Sequence, residues 1–439
     1  MSAWSIRRSV PGFALLVAAC VPAGVAKPTP VAAPTTEECC FAEGLRIAER
    51  FRVTGIASRR FTANEYWGLL AAVLASDRFR TEVIGTSVQG RPIIAIQLGS
   101  GSVKVLAWSQ MHGDESAASM GLLDLLNWIA APDADPVRDR LLNSITLTLV
   151  PMLNPDGAEL FQRQNALGVD INRDARRLST PEGRALKGLH DRLKPDFGFN
   201  LHDQNARTTA GEGGKQVGIA LLAPAISEDR HYDEVRSRAR LVAARLAWRF
   251  EHETPGQVAR YDDTFNPRAF GDLIQAWGTS TVLIETGALA GDPEKQRLRA
   301  LNLAGFLDAL IAIGEGSYRR ALPDWYDSLK ENRSIALDVV VRGARVVGLG
   351  DEPYLLDIGI TYGDAVAKTF PRIADVGDLS AAVALDTIDA AGLFLHPGAA
   401  MVTTQDGRRW LRLGNPAQFT LRRGAELTSD AVSLWMPRP

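Results

Sequence analysis

Four short segments hold residues whose types and spacing could do chemistry. The first is His112-Gly113-Asp114-Glu115, directly after the apolar run 103–108. An imidazole and a carboxylate three residues apart at a strand-to-helix turn can converge on one cation. The second is Asn200-Leu201-His202-Asp203, in which His202 closes another apolar run, 197–201. His112, Glu115 and His202 together make a His₂Glu donor set. A catalytic zinc is held by three protein ligands of this kind, with a fourth position left open. The third segment is Val282-Leu283-Ile284-Glu285-Thr286-Gly287. An unpaired carboxylate at the end of an apolar strand is costly. Acid–base catalysis gives it a task, taking a proton from an activated water and passing it to a leaving amine. The fourth is Asp170-Ile171-Asn172-Arg173, whose amide and guanidinium donors suit a carboxylate. Each segment alone has a plainer reading: a chance His/Glu pair, a capping or salt-bridged glutamate, a solvated loop.

The elements that would position these residues can be read around them. Runs 93–98, 103–108, 145–150, 197–201, 217–222 and 281–284 are β-branched or apolar and strand-length. Helical periodicity marks 63–75, 115–129, 233–252 and 293–313. Strands alternating with helices predict an α/β fold, a central sheet with helices on both faces. In open α/β sheets ligands gather outside the carboxyl ends of the strands, where both His112 and His202 fall. Beyond about residue 318 the character changes. Strand-like runs at 335–341, 345–349, 354–360, 410–413 and 419–421, with 379–385 ambiguous, predict a separate, mostly β domain over 325–439.

In order along the chain, these motifs resemble the zinc carboxypeptidase family, the relatives of carboxypeptidase A. The order runs Thr86-Ser87-Val88-Gln89-Gly90-Arg91-Pro92-Ile93, His112-x-x-Glu115, Asn154-Pro155-Asp156-Gly157, Asp170-x-Asn172-Arg173, His202 and Glu285, within roughly 65–314. The resemblance implies a mixed central sheet in a catalytic domain over 41–318. It also implies one zinc per chain on His112, Glu115 and His202, with Glu285 as general base. By the same resemblance Asn172 and Arg173 hold the substrate's terminal carboxylate. Arg163, in the interval where the family carries an arginine, polarises the scissile carbonyl. Tyr261 is the candidate for the family's loop tyrosine, with Tyr232 next. Asp203-Gln204 departs from the small residue that many relatives have after the histidine. Phe270 falls near the specificity pocket and points to an apolar one.

The 439 residues carry 46% hydrophobic and 23% charged side chains and a formal net charge of −2. That balance gives no pull toward nucleic acid or an anionic membrane surface. Arg7 and Arg8 followed by the apolar run 13–19 suit a signal peptide over 1–26, too short for the about 20 residues of a membrane span. Val17-Ala18-Ala19-Cys20 resembles a bacterial lipobox, which would put a lipid anchor on Cys20; cleavage after Ala26 is the alternative. Residues 27–40 then form a Pro/Ala/Thr-rich tether. The expected address is the bacterial periplasm or envelope, with secretion as the alternative. Three cysteines, Cys20, Cys39 and Cys40, make no disulfide framework. There is no G-x-S-x-G, phosphate-loop or H-E-x-x-H motif, and His190, His231, His252 and His396 have no partner at ligand spacing. The leading expectation is a metallocarboxypeptidase acting on peptides or peptidoglycan stem peptides. The alternatives are an N-acyl-amino-acid amidohydrolase, similar to aspartoacylase, and a non-catalytic peptide-binding envelope protein.

Overall fold

The computed structural model describes residues 39–435; the signal-like segment, Cys20 and the tether up to residue 38 lie outside them. The chain enters through helices α1 (Cys39–Arg50) and α2 (Ala63–Val73), the latter opened by a Thr62/Glu65 capping box. The central elements follow: β1 (Arg80–Thr86), β2 (Pro92–Leu98), β3 (Val103–Ser109), α3 (Ala117–Ala130), α4 (Pro136–Ser144), β4 (Ile145–Val150), α5 (Pro155–Leu160) and α6 (Pro181–Leu193). Then come β5 (Phe197–Asp203), β6 (Thr208–Ala210), β7 (Ile219–Leu222), α7 (Glu234–Glu253), β8 (Val258–Arg260), α8 (Phe270–Ala276), β9 (Ser280–Thr286) and α9 (Gln296–Gly314).

Eight of these strands form one mixed sheet in the order β1-β2-β4-β3-β5-β9-β7-β8. Its centre, β4-β3-β5-β9, is parallel; β2 and β7 join antiparallel on either side. Alternation along β3 explains how two faces are covered. Val105 and Ala107 enter the core under α1, α3, α7 and α9, while Leu106 and Trp108 enter the smaller core under α6 and α8. All seven residues of β5 and of β9 are buried, as expected for strands covered on both faces. The expected α/β class with helices on both faces is therefore what the structure has.

The C-terminal elements are strands: β10 (Asn332–Ser334), β11 (Leu337–Val346), β12 (Tyr354–Asp364), β13 (Thr369–Gly377), β14 (Ala384–Asp389), β15 (Phe394–Pro397), β16 (Val402–Gln405), β17 (Arg408–Leu411), β18 (Phe419–Arg422) and β19 (Ala431–Trp435). Seven of them form a second sheet around β11, and β16–β17 is a separate hairpin. The runs 335–341 and 345–349 are one strand, β11, interrupted by a bulge at Gly343, whose φ is +68°. The ambiguous stretch 379–385 leads into β14, which pairs parallel with β11. Strand β10 pairs instead with β6, which begins five residues after Asp203, the end of β5. No helix among the described residues is long and apolar enough to cross a membrane.

Candidate active site

The site lies at the carboxyl ends of β3, β5 and β9. His112 and Glu115 stand in the turn between β3 and α3, where the Glu115 N–H donates to the His112 carbonyl at 3.2 Å. The helix starts two residues later than its periodicity suggested. Ser116, its N-cap, spends its hydroxyl on the Arg59 carbonyl at 2.6 Å. The turn passes so close to α5 that a Cβ on Gly113 would lie 2.0 Å from the Gly157 carbonyl carbon. Glycine is required there by contact. Gln110, at φ +45°, bends the chain into this turn and anchors it through Nε2 to the Gly113 carbonyl.

Parallel pairing of β5 and β9 places His202 directly opposite Glu285. Glu115 lies between the imidazoles: His112 Nδ1 is 2.7 Å from Oε1 and His202 Nδ1 is 2.6 Å from Oε2. The three donors fall within 4.8 Å of one another and all three residues are buried. The backbone N–H of Asp203 donates to Glu115 Oε2 at 3.1 Å, and His112 Nε2 meets Asp170 Oδ1 at 2.9 Å. Two imidazoles turned toward one carboxylate, one of them held from behind by a second carboxylate, is a donor set that could hold one metal ion and suits zinc.

Electrostatics agree. Burial works against a charged His112, yet Glu115 and Asp170 outweigh it and push the imidazole up to about 9. Burial alone would raise Glu115, but the two histidines hold it well below the carboxylate range. His202 is depressed by burial. Burial and the Glu115 charge push Glu285 well above the usual carboxylate range. Its Oε2 and His202 Nε2 are buried atoms without a hydrogen-bond partner. A dication among the donors would favour the charged form of Glu285 again.

Of the remaining expected residues, Arg163, Asn172, Arg173 and Tyr261 line the same cavity of about 670 Å³ as His112, Glu115 and Glu285. Arg163 donates to Asp170 from Nε and Nη2 at 3.1 and 3.0 Å and to Glu115 at 3.1 Å from Nη1. Asn172 is fixed because its Oδ1 accepts the Phe270 N–H at 2.9 Å; Arg173 donates to the Asn172 carbonyl at 2.7 Å. Tyr261 follows β8, packs on Ala210, Val217, Ala220 and Ala259, and feels Glu285 more than any other group: that charge, with burial, pushes its phenol up. Tyr232 is exposed and is not among the cavity residues. Phe270 differs from its expectation: it is fully buried in the core under α6 and α8, and Ala269, Gly271 and Asp272 face the cavity instead.

Two of the shared motifs prove to be scaffolding. Ser87 Oγ, the Gln89 N–H and Arg91 Nη1 all donate to Asp156, at 2.8, 3.0 and 2.7 Å, locking the β1–β2 turn onto α5. Asn154 caps that helix by accepting from Gly157 at 2.9 Å. Sequence reading missed a buried ion pair beside the donors. Lys295 Nζ meets Asp203 Oδ2 at 3.0 Å and the Thr286 carbonyl at 3.2 Å. The partners are 92 residues apart and no local spacing announces them. Asp170 stood inside a quoted motif, but its role behind His112 needed the fold.

An α/β fold with a His₂Glu donor set at the carboxyl ends of its parallel strands defines a candidate metal-dependent protein. Residues 67–209 match the family model for zinc carboxypeptidases, so the resemblance seen in the motifs holds across that segment. The chain is 34% identical over 112 residues to "Probable carboxypeptidase 2" of Arthroderma benhamiae, covering 25% of this chain and 21% of that one. It is 36% identical over 98 residues to "Carboxypeptidase SOL1" of Arabidopsis thaliana, covering 21% and 20%. It thus spans about a fifth of the length of these relatives. Similar solved structures include a metallo-carboxypeptidase from Burkholderia cenocepacia, at 20% identity and TM-score 0.47, covering 58% of this chain and 70% of that one. Another, from Pseudomonas aeruginosa, has 22% identity and TM-score 0.44, covering 59% and 70%.

Proposed function

We propose that the protein is a zinc-dependent metallocarboxypeptidase that hydrolyses the amide bond next to a free C-terminal carboxylate. The observation that carries this reading is the His112/Glu115/His202 donor group, with one cavity lined by His112, Glu115, the Glu285 carboxylate and the Asn172–Arg173 donors. Zinc on the three donors would supply Lewis acidity at the scissile carbonyl and acidify water. Arg173 and Asn172 bind the terminal carboxylate, and Arg163, held in place by Asp170, stabilises the charge that develops on the carbonyl oxygen. Glu285 takes a proton from the attacking water and delivers it to the leaving nitrogen. Tyr261, beside Glu285, closes the cavity over the bound residue.

Glu285→Gln keeps the side chain's shape and removes its proton-accepting capacity. It should retain stoichiometric zinc while kcat falls by about 10²–10⁴-fold. Turnover near wild type with zinc bound would sink the reading. Hydrolysis of N-acyl amino acids but of no peptide would turn it into an amidohydrolase. Peptide binding without turnover would make the protein a binding module.

The address is also a proposal: export to the bacterial envelope, with Cys20 lipidated and peptidoglycan stem peptides among the substrates. It is supported by the basic and apolar segments before Cys20. Cys20→Ser should move the protein from the membrane fraction to the soluble exported fraction; an unchanged distribution would favour cleavage near Ala26.

A further inference from the structure

The cavity has a wall that does not come from the α/β body. Residues 363–366, at the end of β12 and the start of the turn to β13, line it together with Arg59, Arg60 and Phe161. Asp364 fixes this turn. Its Oδ1 accepts the N–H groups of Val366 and Ala367 at 3.1 and 3.0 Å, and its Oδ2 accepts from Arg59 and, at 3.0 Å, from Arg60. Both arginines also stack on the Phe161 ring, at 5.6 and 4.7 Å from its centroid. The base of the same hairpin is pinned a second time. Asp338 Oδ2 accepts the Tyr362 N–H at 2.6 Å and Arg207 Nε at 2.9 Å, and Arg207 belongs to the loop that leaves β5 just after His202.

Behind this turn lies a second cavity of about 440 Å³, lined by Tyr362, Ala367 and Lys368 and by residues of the loop after Glu285. Val366 lines both cavities. The turn is therefore a partition. A volume of about 670 Å³ lies in the usual range of about 300–1,000 Å³ for small-ligand sites. A peptide whose carboxylate is held by Asn172 and Arg173, and whose scissile carbonyl faces the metal donors, must run its upstream residues toward the remaining lining. That lining includes the 363–366 segment and the arginines that hold it, beside residues 204–207 of the loop after β5.

We propose that the 363–366 turn of the C-terminal sheet sets the length of chain accepted upstream of the scissile bond, and so makes short peptides the substrate class. The inference rests on the carboxypeptidase reading for which bond is cut, and on the partition alone for which lengths enter.

The test compares an N-blocked dipeptide with an N-blocked decapeptide that ends in the same two residues. Zinc-loaded wild type should favour the dipeptide in kcat/KM by at least about tenfold, the scale at which pocket shape discriminates. Asp364→Ala should raise the ratio of decapeptide to dipeptide kcat/KM. Ala365→Trp should lower the decapeptide value further, so the proposal does not hang on one variant's folding. A length ratio that is the same in all three proteins, or near one in the wild type, overturns it. A binding arm separates this outcome from failure of the activity reading: anisotropy of fluorescent versions of both peptides on zinc-loaded protein. Length-dependent affinity without hydrolysis would keep the partition and remove the peptidase; equal affinity would remove the partition.

Discussion

Asp272 stands where the cavity passes Arg173, on the first turn of α8. Burial pushes its carboxyl up to about 6, against the pull of the Asn266 N–H at 2.9 Å and of the Arg173 and Arg236 charges. Above that pH it is an anion in the pocket beside the carboxylate donors, and a lysine or arginine side chain would complement it. The ratio of kcat/KM for peptides ending in lysine to those ending in leucine should fall as pH drops through about 6. Asp272→Asn should flatten the profile; a ratio that ignores pH in the wild type would remove Asp272 from recognition. The stability sign follows from the same shift. A carboxyl raised on folding favours the native state at pH below its unfolded value, and that contribution is lost as pH rises through about 6. At this scale the donors were legible because zinc chemistry demands particular residue types at strand ends. Asp272, Asp170 and the Asp203–Lys295 pair were not, because a carboxylate's role depends on which distant charge the fold brings to it. Phe270 shows the converse: position along the chain put it at the pocket, and the register of α8 turned it into the core.

Helices α3 and α9 hold the turn that carries Glu115, and one buried ion pair joins them. Arg299 donates to Asp124 from Nε at 2.6 Å and from Nη2 at 2.5 Å, and it also reaches the Ile56 and Val53 carbonyls at 2.7 and 3.0 Å. Arg299→Ala leaves Asp124 buried without its partner, and burial already raises that carboxyl. Losing one member of such a pair costs about 3–5 kcal/mol, to be read from urea unfolding. The double variant Asp124→Leu/Arg299→Leu should recover much of the loss, because replacing both charges with packed apolar groups is often neutral. A double variant no better than the single one would mean that the carbonyl bonds of Arg299 matter more than the pair. Long apolar elements were readable for a related reason. The 281–284 and 145–150 runs have to be buried on both sides, and β9 and β4 are. Helix α6 escaped notice because Pro181–Leu193 is mostly polar and buries a single stripe that includes Ala185, Leu186 and Leu189. Its start was nevertheless written at Thr180-Pro181, a capping side chain followed by a proline at the first helical position.

Across the whole molecule the two sheets share their fastenings. Strand β10 pairs with β6 from Asn332↔Ala210 to Ser334↔Thr208, Arg207 pairs with Asp338, and Asp364 pairs with Arg59 and Arg60. Tyr326, on the connection between the sheets, is buried in the larger core, and its hydroxyl accepts the Ala223 N–H at 3.2 Å. From sequence, the change of pattern beyond residue 318 read as a separate unit, since strand-and-turn composition carries no sign of what it packs against. The fastenings predict a thermodynamic consequence. A C-terminal domain on a free linker would melt by itself, and a scanning calorimeter would resolve two transitions. Here the three ion-pair attachments fall on residues that also line the candidate site's cavity, Arg59, Arg60, Arg207 and Asp364. Loss of the chain beyond residue 328 would take β10 from β6 and the carboxylate of Asp364 from Arg59. The chain from residue 39 onward should therefore melt in one transition, with calorimetric and van't Hoff enthalpies in agreement. A chain truncated after Ser328, which keeps Tyr326 but loses β10, should melt at lower temperature. Two resolved transitions in the full chain, or an unshifted midpoint in the truncated one, would show that the sheets fold independently and that their contacts add little to stability.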